Sequence, residues 1–287
     1  MRDTASFNQR LRRAGDYNRG LWAPVRWAHV AWAVVSYPLG PVLTWAGHPR
    51  RRSWGVPLLA GVVITLLLLP IDPAVSRWAS AVELRGDARR EAEALQQFGQ
   101  GAVSLAIAAA IWLLDPGRRR RLLDWAAAAI VTLAATVLLK SILGRPRPNL
   151  DDPYTFTFLF GSYPVPEGGG FAMRSGWDAG YALASMPSRH AAFAALAGLF
   201  LAALYPRLKP LASLLIAVVA LARVLTGAHY PADVALGLTI GIVAARVAIP
   251  GYWGVRALDW AWVRLVDRHA TPAWPALAAK DRSDARA

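Results

Sequence analysis

Apolar residues in this chain fall in long runs, not in strict alternation. Six runs approach the ~20 residues of helix that cross a bilayer: Trp54–Ile71, Phe98–Leu114, Leu122–Leu143, His190–Tyr205, Leu211–Thr226 and Ala232–Pro250. The fourth and fifth are short, so their ends are expected to reach into the flanking loops. Leu and Ala dominate, with Gly among them, a mixture that lets membrane helices pack closely. No internal repeat is evident at a fixed period. The pattern predicts an all-α fold, a polytopic membrane protein with a six-transmembrane-helix bundle over 54–250. Before it, Trp22–Gly47 holds Trp22, Trp27, Trp32 and Trp45 but is broken by Pro38 and Pro41. It reads as an interfacial or re-entrant helical segment, with a seventh span as the alternative, which makes 1–53 an Arg/Trp-rich cytoplasmic and interfacial region. After it, 251–287 divides into a surface-lying helix over Trp253–Val266 and a disordered cytoplasmic tail over Ala276–Ala287.

Charge sets the orientation. Lys plus Arg number 32 against 18 Asp plus Glu, a net charge of +14, in a chain that is 55% hydrophobic. The arginines cluster beside the apolar runs, which points to a cytoplasmic membrane face and away from a nucleic-acid partner. They gather before the first run, after the second (Arg118–Arg121), after the fourth (Arg207, with Lys209) and in the tail. Six spans put these four regions on one side and leave 72–97, 144–189 and 228–231 on the other. The N-terminus, charged and without an apolar core, argues against a cleaved signal peptide. The absence of cysteine excludes disulfides and thiolate metal sites. The Arg- and Ala-rich composition suggests a GC-rich bacterium, hence an inner membrane with these three segments facing the periplasm or the outside.

Three polar clusters at the ends of apolar runs then fall together on that outer side. They are Lys140 with Arg147-Pro148, Pro187-Ser188-Arg189-His190, and Arg223 with His229 and Asp233. Ionisable groups at the edge of hydrocarbon are costly. Lys140 alone could snorkel to the interface, but Lys140, Arg147 and Arg223 together would repel one another unless an anion sits among them. His229 and Asp233 are spaced i, i+4, with Pro231 suited to a first helical turn, so the carboxylate can fix the imidazole tautomer and leave the other nitrogen as a nucleophile. The plainer alternative is that Asp233 caps its own helix. Ser188 reads as an N-cap whose following amides suit an oxyanion, and His190 as a proton donor or simply an interfacial histidine.

These residues resemble a known family. Lys140 to Pro148 fits K-x6-R-P, Pro187-Ser188-Arg189-His190 resembles P-S-G-H, and Arg223-x5-His229-x3-Asp233 fits the later part of S-R-x5-H-x3-D. The chain is similar to the type 2 phosphatidate phosphatases, integral membrane lipid phosphatases related to bacterial acid phosphatases and vanadium haloperoxidases. The resemblance implies that His229 attacks phosphorus to form a phosphohistidine and that Asp233 orients it. It implies that His190 protonates the leaving group, and that Lys140, Arg147 and Arg223 hold the phosphoryl oxygens with help from Ser188 and the amide of Arg189. It implies no metal and no cofactor. Two positions depart from the pattern. Arg189 stands in place of Gly and either adds a fourth cation or turns away, and Ala222 stands in place of Ser, with Thr226 a candidate to supply the missing hydroxyl.

The expected partners are the bilayer and a lipid phosphate: phosphatidate, phosphatidylglycerophosphate, a polyprenyl pyrophosphate or a lipid A phosphate. The aromatic-rich loop 149–186, with Phe158, Phe160 and Trp177, is expected to admit or cover that lipid. A phosphotransferase passing the phosphoryl group to another acceptor would use the same residues.

Overall fold

The computed structural model describes residues 52–82 and 84–284, so the expectation for Trp22–Gly47 lies outside the described residues. Residues Pro57–Ala287 form one compact unit. Helix α1 (Arg52–Leu68) is followed by α2 (Asp72–Val82), bent from it by 72°. Pro70 and Pro73 lie at that break, where they cannot donate to a continuing helix. Helix α3 (Gly86–Leu95) runs through a 3-10 turn, Gln96–Gly99, into α4 (Gly101–Leu114), with a bend of 59°. Helix α5 (Arg121–Leu143) stops at Gly144, whose left-handed φ of +55° lets its N–H reach the Lys140 carbonyl at 2.9 Å. The remaining helices are α6 (Arg189–Leu204), α7 (Lys209–Leu225), α8 (Pro231–Ala248), α9 (Trp253–Leu265) and α10 (Trp274–Asp284).

The six apolar runs therefore resolve into three helices long and apolar enough to span, two bent pairs that would each make one more, and α6, which at 16 residues is shorter than a full span. Helix α6 is also the inner helix. Its residues from Ala191 to Phe200 are almost all buried, so its apolar surface faces protein on every side. It packs on α8 through Gly237 and Gly241, where a Cβ would lie 2.3 Å from the Ser188 carbonyl oxygen and 2.0 Å from that of Ala192. Only glycine permits such backbone approach. Leu196 and Phe200 of α6 complete a core with Ile111, Ala128, Ala245 and Ile249.

Two regions differ from the expectation. The all-α reading omitted a β-hairpin, β1 (Tyr163–Glu167) paired antiparallel with β2 (Gly170–Arg174). Its turn is Gly168-Gly169, both at positive φ, as a two-residue hairpin turn demands. The tail expected to be disordered is helical through Asp284, because its start and middle are tied to α9 and its approach. The Trp274 N–H donates to Asp259 at 2.9 Å, and the Tyr252 hydroxyl lies 2.6 Å from Asp281. Helix α9 buries Val255 but leaves Trp260 and Trp262 exposed, and its first amides donate to the buried Asp124 of α5 at 2.9 and 3.1 Å.

Candidate active site

The C-terminal end of α5 opens the site. Lys140 lies in its last turn and donates to the Ala184 carbonyl and, at 3.5 Å, to that of Ser185. Beyond Gly144 the chain reads Arg145-Pro146-Arg147-Pro148. A residue before proline is pushed out of the helical region, and Arg147 sits at φ −79°, ψ 162°. At about three residues per turn in this extended form, the two arginines point to different sides. Arg147 donates to the carbonyls of Tyr181 and Ala228, both at 2.8 Å, and stacks 3.8 Å over the Tyr181 ring. Arg145 turns into the protein and is fully buried.

The starts of α6 and α8 face this point. Ser188 caps α6, its hydroxyl accepting from the Ala191 amide at 3.5 Å, while its own amide donates to the Asp233 carbonyl at 2.9 Å. His190 follows in the first turn of α6. Arg223, in the last turn of α7, donates to Gln96 Oε1 at 2.7 Å, and its carbonyl accepts the amide of His229 at 3.1 Å. His229 Nδ1 lies 3.6 Å from Asp233 Oδ2, a little beyond a hydrogen bond. Burial pushes the His229 imidazolium down, to about 3, although Asp233 pulls the other way. Three buried groups here have no hydrogen-bond partner among the described residues: His229 Nδ1, Arg223 Nε and the Tyr230 hydroxyl. His190 is within electrostatic range of Arg223, Arg189, Arg147 and Lys140, and His229 of Asp233, Arg147 and Lys140. The site is thus two histidines and one carboxylate ringed by cations, suited to a phosphoryl group.

The PAP2 superfamily profile matches residues 121–256. The decaprenylphosphoryl-5-phosphoribose phosphatase of Mycobacterium tuberculosis is 31% identical over 166 residues, which is 54% of this chain and 76% of that protein. The chain belongs to the PAP2 superfamily. A protein of the same name from Mycolicibacterium smegmatis is 32% identical over 147 residues, 51% of this chain and 69% of its own length. Among solved structures, Aquifex aeolicus LpxE aligns with a TM-score of 0.45 and 17% identity, covering 64% of this chain and 94% of that one. The PAP2-type phosphatidylglycerolphosphate phosphatase from Bacillus subtilis gives the same score and identity over 68% and 94%. The chain is an integral membrane phosphatase of the PAP2 superfamily.

The PAP2 motif residues Lys140, Arg147, Ser188, Arg189, His190, Arg223, His229 and Asp233 all come from the segments named in the sequence, and the fold brings their segments to one end of the bundle. Four partners were missed. Arg145 bridges two buried carboxylates, with Nη1 2.6 Å from Asp233 Oδ1 and Nη2 2.7 Å from Asp72 Oδ2. Asp72 also accepts the Ala232 amide of α8 at 2.9 Å. Ser185 donates to Asp233 Oδ2 at 2.6 Å, and Gln96 holds Arg223. The doubled Arg-Pro of 145–148 was the available signal for Arg145, and Asp72 is the first charge after an apolar run. The capping alternative for Asp233 also holds, since its Oδ2 accepts the Tyr230 amide at 3.0 Å. Thr226 does not replace the hydroxyl missing at Ala222, because it is bonded to the Ala222 carbonyl at 2.7 Å within its own helix.

Proposed function

We propose that this protein hydrolyses a phosphate ester or anhydride on a membrane lipid, without a metal, through a phosphohistidine on His229. The carrying observation is the buried His229, set against a carboxylate at 3.6 Å that is itself fixed by Arg145, Ser185 and the Tyr230 amide. A carboxylate held on three sides cannot swing, so it presents one oxygen to Nδ1 and leaves Nε2 for the phosphorus. In the first half-reaction the Nε2 lone pair forms the N–P bond, the bond from phosphorus to the lipid oxygen breaks, and His190 gives that oxygen a proton. In the second, water attacks phosphorus, His190 takes the water's proton, and the N–P bond breaks to release phosphate. Lys140, Arg147 and Arg223 stabilise the charge spread over the transferring oxygens, with the Ser188 cap and the Arg189 amide assisting.

The names of the mycobacterial relatives support a lipid substrate with a polyprenyl anchor. The reaction would take place on the outer face of a bacterial inner membrane, a reading that the Arg bias of the opposite loops supports. The test is phosphate release by the detergent-solubilised protein in EDTA, over phosphatidate, phosphatidylglycerophosphate, a polyprenyl pyrophosphate and a lipid A phosphate. His229→Ala is expected to lower the rate by roughly 10⁴-fold or more. Release that persists in that variant would overturn the mechanism. Phosphoryl transfer that needs an added acceptor would identify a transferase instead.

A further inference from the structure

Arg189 is the one motif position whose side chain the proposed reaction does not use. It stands where the resemblance calls for glycine, is exposed, and its side chain makes no hydrogen bond or ion pair among the described residues. The three other cations are engaged: Lys140 and Arg147 with carbonyls, Arg223 with Gln96. A phosphomonoester carries about −1.5 to −2 at neutral pH, so those three already match or exceed it. A fourth cation beside them adds only repulsion unless it meets a second anion.

The surroundings say on which side that anion would lie. Arg189 and His190 together head a cavity of about 410 Å³ between α4, α5 and α6. Its walls below them are apolar: Leu105, Trp125, Ile130, Leu133 and Phe193. Trp125 to Leu133 is eight helical steps along α5, about 12 Å at 1.5 Å per residue. Leu105, Ile130 and Leu133 are open on the outer surface of the bundle, so the groove faces the surrounding apolar phase along its length. If His190 protonates the leaving oxygen, the leaving group lies on the His190 side of phosphorus. The atoms beyond that oxygen then pass Arg189 before the chain enters the groove.

We infer that Arg189 binds a second phosphate of the substrate, located between the scissile phosphate and a hydrocarbon chain seated in the groove between α4, α5 and α6. This deepens, and rests on, the reading of the site as a lipid phosphatase. The second phosphate would be either directly attached, as in a polyprenyl diphosphate, or separated by a sugar, as in a polyprenylphosphoryl sugar phosphate. The shared chemistry is an anionic phosphate on the leaving-group side.

The experiment measures kcat/KM of the full chain in detergent with EDTA for phosphatidate, a polyprenyl diphosphate and a polyprenylphosphoryl sugar phosphate. It compares the unaltered protein with Arg189→Gly and Arg189→Lys. The ratio of a two-phosphate lipid to phosphatidate is expected to fall at least tenfold in Arg189→Gly and by less in Arg189→Lys. The lipid whose ratio falls identifies the spacing of the second phosphate. Ile130→Trp, which narrows the groove, is expected to raise KM several-fold for long-chain substrates and less for short-chain ones. An equal loss on all three lipids in Arg189→Gly, or no loss on any, would overturn the inference while leaving the phosphatase reading intact. Release that His229→Ala does not abolish would overturn both.

Discussion

Replacing Arg145 by Met should damage this protein more than any other single change outside the reacting groups. The guanidinium lies 2.6 Å from Asp233 and 2.7 Å from Asp72, and all three side chains are fully buried. It also donates to the Pro153 carbonyl at 2.6 and 3.1 Å and lies 4.4 Å from the Tyr230 ring centre. Breaking a buried ion pair costs about 3–5 kcal/mol, chiefly because the remaining charge is left uncompensated. Here two carboxylates are left, so about 5 kcal/mol is the better figure. At about 2–4 °C per kcal/mol for a domain of this size, unfolding in detergent should shift down by roughly 10–20 °C. The double variant Arg145→Met with Asp72→Asn removes one of the stranded charges. It should recover part of the loss, because neighbouring substitutions that share a partner are not additive. Thermal unfolding by near-ultraviolet circular dichroism reads both. A shift under about 3 °C for Arg145→Met, or a double variant that is simply the sum of its parts, would refute the view that Arg145 neutralises the pair. Activity should fall further than stability explains, since Asp233 loses the bond that aims it at His229.

Those same residues show where the sequence could be read and where it could not. The apolar runs located α5, α7 and α8 to within a few residues, because a spanning helix must be apolar along its whole length and ends where charge begins. The run over His190–Tyr205 gave α6 its place but not its role, since an inner helix and a lipid-facing helix are equally apolar. The hairpin escaped because its strands carry Pro164, Pro166 and a four-residue sequence of Glu and Gly, which read as loop. In the site, residues in short fixed spacings were legible: His229 and Asp233 on adjoining turns, Ser188 at a helix start. Asp72, Gln96 and Ser185 were not, because they meet their partners across 73, 127 and 48 residues of chain, and no local spacing encodes such a contact. Arg145 was visible but ambiguous. Only its burial against two carboxylates separates it from Arg147, two residues on.

Gln96→Ala removes the side chain that holds Arg223, at 2.7 Å, and should raise KM roughly tenfold, a loss of about 1.5 kcal/mol, with kcat less affected; an unchanged KM would show that Arg223 needs no such support. Gly99→Ala would put a Cβ 2.2 Å from the His190 carbonyl oxygen, pushing the start of α6 away, and should lower kcat by roughly 10–100-fold in steady-state assays. Acid should weaken the fold through His229, which burial holds neutral with its folded value at about 3, whereas an unfolded histidine titrates near 6.5. Between those values the unfolded chain binds the proton and the folded one does not. The stability that goes with the neutral imidazole is therefore complete above about pH 6.5 and is lost as pH falls toward 3, by up to about 1.4 kcal/mol per pH unit. Lowering the pH from about 6.5 to about 5 should cost roughly 2 kcal/mol through this one group. Other carboxylates also respond to acid, so the measurement is the difference in unfolding temperature between about pH 7.5 and about pH 5 for the unaltered protein and for His229→Gln, which cannot titrate there. The unaltered protein should lose several degrees more. Equal losses would mean that the folded imidazole titrates as it does in the unfolded chain, which would refute the view that burial holds it neutral.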